Sequence, residues 1–542
     1  MQSLAELIVE SLSSDGERPA LQYIGDGPQV CTLSRRRVLH LAAAAARKLL
    51  DAGLRRGDTV LHLAENRWEW AITDFAILLA GGVHVPVHAP LTAEQVGYQL
   101  RDSGAKIAVV SNAEQAAKLA DGPIPDDFTL FSYQPLEAQR AERWIRAADR
   151  PDREVVDEVL SQARAAGDDV ATILYTSGTT GDPKGVVLSH ANLLSNATAA
   201  RDIFRATETD VRLAFLPLSH IFARTCDLYL TLAGGMTLAV AESRESVVRD
   251  CALVKPTMLN GVPYFFDKIR RHLIETGRAD QPGVLQQLFG GRMRILCSGG
   301  AALPDHLFDF FAERGLPVLQ GYGLSESSPI ITVSDERRFR RGSVGLPIPG
   351  VEVSISSDGE ILTRGPHVMV GYYKNEAATR DVIRDGWLHT GDLGRIDDDG
   401  FVYITGRKKE LIVTSGGKNI APVMLEQLLT EDPLILQAMV VGDDRNYLTA
   451  LIVPDEAQLR AQLSSDATWT DVVGDHETKQ LVADRVHARL RTVSRYEQIA
   501  KCSLLPDPFS IENGMLTPKL SLRRREIAAA YAAEIASMYE SD

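Results

Sequence analysis

Apolar residues recur at helical spacing from Ser34 to Leu54, an alanine- and leucine-rich run with Arg36, Arg37 and Arg47 along it and Gly53 near its end. This predicts an amphipathic helix stopped by glycine. Gly57–Leu63 predicts a turn and a buried strand, Trp68–Leu79 a second helix, and Gly81–Val87 and Ala105–Val110 two more strands. Strand-like runs return at Val211–Pro217, Met236–Val240, Thr257–Asn260 and Arg294–Ser298. Strands alternating with helices predict an α/β fold of mostly parallel sheets flanked by helices. The stretch Pro135–Asp169 is charged and helix-prone, and predicts a solvated connector. Between Val351 and Tyr403 the texture changes to short strands with turns at Ser357-Asp358-Gly359 and Asp398-Asp399-Gly400, which predicts an antiparallel β subdomain. The charged run Arg407-Lys408-Lys409-Glu410 then separates a smaller α+β unit. In that unit Gln437–Val441 and Leu448–Pro454 predict strands, and the tail after Arg523 predicts helix. The expected division is a large unit over residues 1–406 and a small one over 407–542.

Composition narrows the partners. At 542 residues the chain exceeds one ordinary core. Its net charge of −14 argues against nucleic acid, which needs a basic face, but leaves room for a local positive site that takes a nucleotide. Five dispersed cysteines without a C-x-x-C pair fit a reducing compartment, so the expected location is cytoplasmic and the thiols read as small core hydrophobes. The start of the chain lacks the basic and apolar regions of a leader. No apolar run reaches the roughly 18–20 residues needed to span a bilayer, which leaves only peripheral membrane contact open.

Chemistry concentrates in Tyr175-Thr176-Ser177-Gly178-Thr179-Thr180-Gly181-Asp182-Pro183-Lys184-Gly185. So many glycines and hydroxyls suit a loop whose N–H groups and side chains face phosphate oxygens, with Lys184 as a point charge. The kinase-type phosphate loop does not fit: counting from Gly178, its second glycine would fall at Pro183, and Gly185 stands where Ser or Thr should follow the lysine. A plain surface loop is the alternative. It is disfavoured by the β-prone runs Ala171–Tyr175 and Val186–Ser189 on either side, which put the loop at a sheet edge. A nucleoside triphosphate is therefore the expected cosubstrate.

The eleven residues closely resemble the phosphate-binding signature of the adenylate-forming superfamily, which comprises acyl-CoA synthetases, luciferases and nonribosomal peptide adenylation domains. Further motifs follow in that family's order. The resemblance implies that Thr176, Ser177, Gly178, Thr179, Thr180, Gly181 and Lys184 hold ATP phosphates. It implies that His220, in Leu216–Phe222, lines the acyl pocket and gates the thiol tunnel. Gly300 and Ala301, in Ser298–Ala302, would receive the adenine. In Gln320–Ser327 it implies Gly321, Tyr322 and Gly323 against the base, Ser325 on the α-phosphate, and Glu326 with Thr176 on Mg²⁺. Most relatives have Thr at the Ser325 position, and the hydroxyl is retained. Asp392, in Gly386–Asp392, would accept the ribose hydroxyls, Arg407 would contact ribose or phosphate, and Lys409 would be the pivot of a mobile small unit. Gly416, Gly417 and Lys418 belong to a loop implied to act when the thioester forms.

One motif departs from the family. Long-chain ligases carry a tail lysine where this chain has Ser521, and Lys519 lies two positions earlier. In extended backbone those positions share a face roughly 6.5–7 Å apart, a gap a lysine stem bridges in large part, so Lys519 is the expected catalytic cation. Ala64–Trp70, Asp102–Ala105 and Gly417–Pro422 resemble the long-chain fatty-acid branch. The implied function is an ATP- and Mg²⁺-dependent ligase that activates a medium- to long-chain fatty acid as acyl-AMP and passes it to CoA. The alternatives are an acyl-AMP ligase that loads an acyl carrier protein, and a weakly active acyl-nucleotide binding module.

Overall fold

The computed structural model describes residues 3–25, 27, 29–119, 127–136, 141–163, 165–176, 183–463, 467–510, 513–516 and 522–540. Among them, nine strands form one sheet in the order Leu346–Pro347, Ile330–Val333, Val318–Gly323, Ile295–Ser298, Met258–Gly261, Val211–Ala214, Thr237–Val240, Pro19–Ile24, Val30–Ser34. The run from Val318–Gly323 to Pro19–Ile24 is parallel, and antiparallel strands close both ends. A second sheet of eight runs Gly371–Tyr372, Lys184–Ser189, Val170–Thr176, Val83–Val87, Thr59–Leu63, Ile107–Val110, Thr129–Ser132, Ala141–Arg143. Only its first two pairings are antiparallel, so Lys184–Ser189 alone runs against the other strands.

The helices form where the apolar periodicity predicts. Ser34 caps Arg35–Asp51, its hydroxyl accepting from Arg37 N at 3.3 Å. The helix Trp68–Leu79 is buried at every position. A helix buried on every face must be enclosed by the core, and one apolar cluster joins it to strands of both sheets. The connector reads differently in three dimensions. Ala141–Arg143 adds an edge strand, and Arg153–Gln162 lays Val156 and Val159 onto the same core as Trp144 and Ile145. Those four apolar side chains are sparse among charges, and their spacing rather than their number makes the segment structural.

Glu352–Ile355, Glu360–Arg364, Ile383–Arg384, Trp387–Ile396 and Val402–Arg407 build the antiparallel subdomain. Beyond it, Ile435–Val441, Leu448–Pro454 and Ile499–Leu504 form a separate small sheet, flanked by Pro422–Thr430 and His476–Arg489, with apolar clusters of its own. An ion pair between Arg271 and Asp455, 3.1 Å apart, spans the two units. The cysteines are free thiols, three buried and two half-buried. Among the described residues no helix is long and apolar enough to cross a membrane.

Candidate active site

The strands Val170–Thr176 and Lys184–Ser189 pair as a hairpin with Thr176 opposite Lys184. Ser177, Gly178, Thr179, Thr180 and Gly181 lie outside the described residues; the hairpin's base does not. Tyr98 Oη donates to Pro183 O at 3.2 Å, and Tyr175 Oη to Asp102 Oδ2 at 2.6 Å. A Cβ on Gly185 would come within 2.8 Å of the Ile173 side chain and 3.1 Å of Tyr373, so only glycine lets the flanking strands close here. Lys184 is exposed, and its ammonium lies 4.9 Å from the centre of the Tyr372 ring. The Tyr372 hydroxyl donates to Glu326 Oε1 at 2.8 Å. Burial, reinforced by the Glu326 charge, raises the Tyr372 phenol well above its ordinary pKa, so it stays a donor. The strand carrying Tyr372 is bonded to both partners' backbones: Tyr373 N donates to Gly185 O (2.7 Å) and Met369 N to Glu326 O (2.9 Å).

A second group assembles around Asp392. Its Oδ2 accepts from Tyr322 Oη at 2.7 Å and its Oδ1 lies 3.0 Å from Arg407 Nε. The register of Trp387–Ile396 against Val402–Arg407 sets Asp392 opposite Arg407. Burial pushes the Asp392 carboxyl up, and Arg407 and Tyr322 oppose that only in part, so it stands above the usual carboxylate range. Asp392 raises the Arg407 pKa in turn, and the charge of Glu326 reaches both residues. Ser325 and Glu326 occupy the short turn Ser325–Ser327 that follows Val318–Gly323. Gly321 sits on that strand against Val333, and Gly323 passes so close to Pro329 that an added Cβ would fall 1.6 Å from its carbonyl oxygen.

The remaining predicted residues surround these two groups. Gly300 has φ +82° with open space at its Cβ position, and Ala301 beside it is exposed. Gly299 abuts Phe222, whose ring would lie 2.9 Å from an added Cβ. His220 caps the turn holding Phe222, its Nδ1 accepting from Phe222 N at 3.2 Å. Asn66 fixes the approach to that turn by donating to Leu216 O (2.6 Å) and accepting from Leu218 N (2.8 Å). Lys409 lies in the turn Lys408–Glu410 directly after Arg407. Gly416, Gly417 and Lys418 join two short strands of the small unit, with Lys418 Nζ 5.5 Å from the Tyr496 ring centre. Lys519 and Ser521 lie outside the described residues, between Leu516 and Leu522, which bridge antiparallel.

Two side chains here carry no sequence signal. Tyr372 sits in a Gly-Tyr-Tyr run with no distinguishing spacing. Glu360 accepts from Gly391 N (2.8 Å) and from Lys408 Nζ (3.2 Å), and so ties the Asp392 turn to the residue before Lys409. Among the described residues no group of three or more His, Cys, Asp or Glu could cage a metal. The single carboxylate of Glu326 nonetheless fits Mg²⁺, which takes most of its ligands from water and substrate phosphates.

The chain matches the profile of the AMP-binding enzyme over residues 9–373 and that of the AMP-binding enzyme C-terminal domain over residues 409–542. It belongs to the AMP-binding enzyme family. It is 34% identical to the long-chain-fatty-acid–CoA ligase FadD15 of Mycobacterium bovis, over 92% of this chain and 91% of that protein. With the long-chain-fatty-acid–CoA ligase ACSBG2 of Xenopus laevis the identity is 30%, over 99% of this chain and 84% of that one. Among solved structures, the O-succinylbenzoate CoA synthetase of Bacillus subtilis in complex with ATP and magnesium ion aligns with a TM-score of 0.73 and 26% identity, over 96% of this chain and 98% of the other. The fold is that of adenylate-forming enzymes: a large unit of mostly parallel sheets and a separate α+β unit.

Proposed function

We propose that this chain is an AMP-forming fatty-acid–CoA ligase acting on medium- to long-chain acids in the cytoplasm. The observation that supports it most is the convergence of two charge groups. Lys184, Tyr372 and Glu326 form one line of contacts, and Tyr322, Asp392 and Arg407 form another within reach of the Glu326 charge. That is a cation and a carboxylate for phosphates beside a buried carboxylate for a ribose. The similarity to two long-chain-fatty-acid–CoA ligases over nearly the whole chain supports the acyl substrate.

In the first step a carboxylate oxygen of the acid attacks the α-phosphorus of ATP. The bond to the bridging oxygen breaks and pyrophosphate leaves with the electron pair. A carboxylate is a weak nucleophile meeting an anionic centre, so neutralisation and alignment govern the rate. Lys184, exposed at the end of its strand, supplies positive charge to the phosphates, with Lys519 as a second cation from the tail. Glu326 and the Thr176 hydroxyl would hold Mg²⁺, which neutralises phosphate charge when bound. Asp392 accepts the ribose hydroxyls. Each of its oxygens has one protein partner and keeps lone-pair capacity for another donor. Tyr322 and Arg407 fix its orientation, and Ser325 donates toward the α-phosphate.

In the second step the CoA sulfur attacks the acyl carbonyl, the carbon–oxygen bond to phosphate breaks, and AMP leaves. We assign the domain boundary to the Arg407–Lys409 segment, about which the small unit turns to bring Gly416–Lys418 in for this step. One small site then serves two reactions without holding opposed groups together. The test is pyrophosphate release across acids of graded length, with and without CoA. Release that depends on a fatty acid, with acyl-CoA formed when CoA is added, is expected. Turnover only with an acyl carrier protein, or only with short or aromatic acids, would overturn the assignment.

A further inference from the structure

Lys184 and Glu326 are opposite charges that both contact Tyr372, and opposite charges within reach attract each other. Closed on each other, they would neither meet a phosphate nor bind a metal. One side chain contacts both of them. The Tyr372 ring takes the Lys184 ammonium at 4.9 Å from its centre, and the same residue's hydroxyl takes Glu326 Oε1 at 2.8 Å. A ring face attracts a cation and a phenol donates to a carboxylate, so each charge has a neutral partner.

The backbone frame fixes the place of this spacer. Tyr372 pairs with Val186 on the hairpin strand that begins at Lys184, and its own N–H donates to Thr379 Oγ1 at 2.8 Å. The neighbouring Met369 N–H is bonded to the Glu326 carbonyl. The spacer is therefore anchored by backbone hydrogen bonds to the elements bearing both charges.

We propose that Tyr372 is a positioning residue that prevents Lys184 and Glu326 from pairing in the empty site, and so holds the cation free for phosphate and the carboxylate free for a divalent metal. This rests on the nucleotide reading above. It predicts a specific interaction between substitutions. The probe is ATP binding measured by calorimetry, first without metal and then with Mg²⁺ titrated in, on the full chain, with thermal melting to verify the fold. Tyr372→Leu lets Lys184 pair with Glu326, and metal-free ATP binding is expected to weaken about tenfold. Adding Glu326→Gln removes the competing carboxylate, so the Tyr372→Leu/Glu326→Gln double variant should bind metal-free ATP within twofold of Glu326→Gln alone. Tyr372→Phe keeps the ring and loses the hydroxyl, and should raise the Mg²⁺ concentration needed for half-maximal enhancement of ATP binding severalfold. A structural role alone gives a different result: Tyr372→Leu would weaken ATP equally with and without Glu326→Gln, and that outcome overturns the proposal. So does an unchanged Mg²⁺ requirement in Tyr372→Phe. If Tyr372→Leu melts early, Tyr372→Met and Tyr372→Met/Glu326→Gln, which also lack the ring, carry the same comparison. An unsubstituted chain that binds no ATP would overturn the nucleotide reading itself, and this role with it.

Discussion

Asp74→Asn should unfold the large unit far more easily than its size suggests. Asp74 and Arg224 are fully buried, with Arg224 Nη2 2.6 Å from Asp74 Oδ1. The same oxygen accepts from His84 Nδ1 at 2.6 Å and from Tyr229 Oη at 3.2 Å. Burial alone would raise the Asp74 carboxyl, but Arg224 and His84 more than offset that, and the group lies below its ordinary range. The pair is thus ionised. The substitution keeps the shape and an acceptor for His84 but leaves the Arg224 guanidinium uncompensated, with no exposure to water. Removing one partner of a buried pair costs about 3–5 kcal/mol. With an m-value of about 3 kcal/mol/M, the urea midpoint should fall by about 1–1.7 M. Tryptophan fluorescence reports it locally, because the Trp70 ring centre lies 5.3 Å from that of His84. Adding Arg224→Met removes the stranded charge, and the double variant should recover at least about 2 kcal/mol relative to the sum of the single changes. A loss under about 1 kcal/mol for Asp74→Asn, or strict additivity in the double variant, would refute the reasoning.

Stability should also fall in mild acid. Burial holds His84, His190 and His367 down to about 4. Between about pH 4 and 6.5 the unfolded chain binds protons the folded chain refuses, so stability drops as pH falls through that window, by up to about 1.4 kcal/mol per pH unit for each histidine. Urea midpoints compared at pH 5 and pH 7 check it. Asp392→Asn should weaken ATP binding at least tenfold by calorimetry, since an amide cannot accept both ribose hydroxyls and stay paired with Arg407. Lys519→Ala should cut fatty-acid-dependent ATP–pyrophosphate exchange by two orders of magnitude or more. It should leave CoA-dependent consumption of supplied acyl-AMP largely intact.

Elements with strong periodicity were legible in the chain. The helices Arg35–Asp51 and Trp68–Leu79 and the parallel strands fall where alternating apolar runs predict them, because burial on one or both faces writes a period into the sequence. Tyr322, Glu326, Asp392 and Arg407 stood out only through motifs that resemble the family's, and the fold brings Tyr322, Asp392 and Arg407 into contact. Contacts made across distant elements leave no such mark. Asp74, His84, Thr172 and Arg224 lie on a helix, two strands and the π-helical turn Arg224–Tyr229, and meet only because the sheet sets their elements side by side. Read singly, they are polar interruptions in apolar runs. Tyr372 is silent for the same reason, since its function comes from strand pairing with the hairpin. Glu360 gains its meaning only when Glu360–Arg364 lies against Trp387–Ile396.

These silent residues support the legible ones from two sides. The strand Val170–Thr176 is held at Thr172, whose hydroxyl accepts from Arg224 Nη1 at 2.7 Å and donates to His84 O at 2.7 Å. Arg224 N is bonded to the His220 carbonyl at 3.0 Å, so one arginine joins the phosphate hairpin to the turn that bears His220. A neutral relay extends from His84 through His62 to Tyr133, at 3.0 and 2.6 Å, and seals the cluster among large rings. Fully buried, with Asp74 and Arg224 paired, this cluster has little freedom to adjust, and it braces the strand Val170–Thr176. On the open side, Tyr372 holds the two charges that a substrate must be able to claim. Rigidity below and weak, exchangeable partners above are what a site needs if it is to stay assembled while empty and yield its charges to a phosphate at little cost.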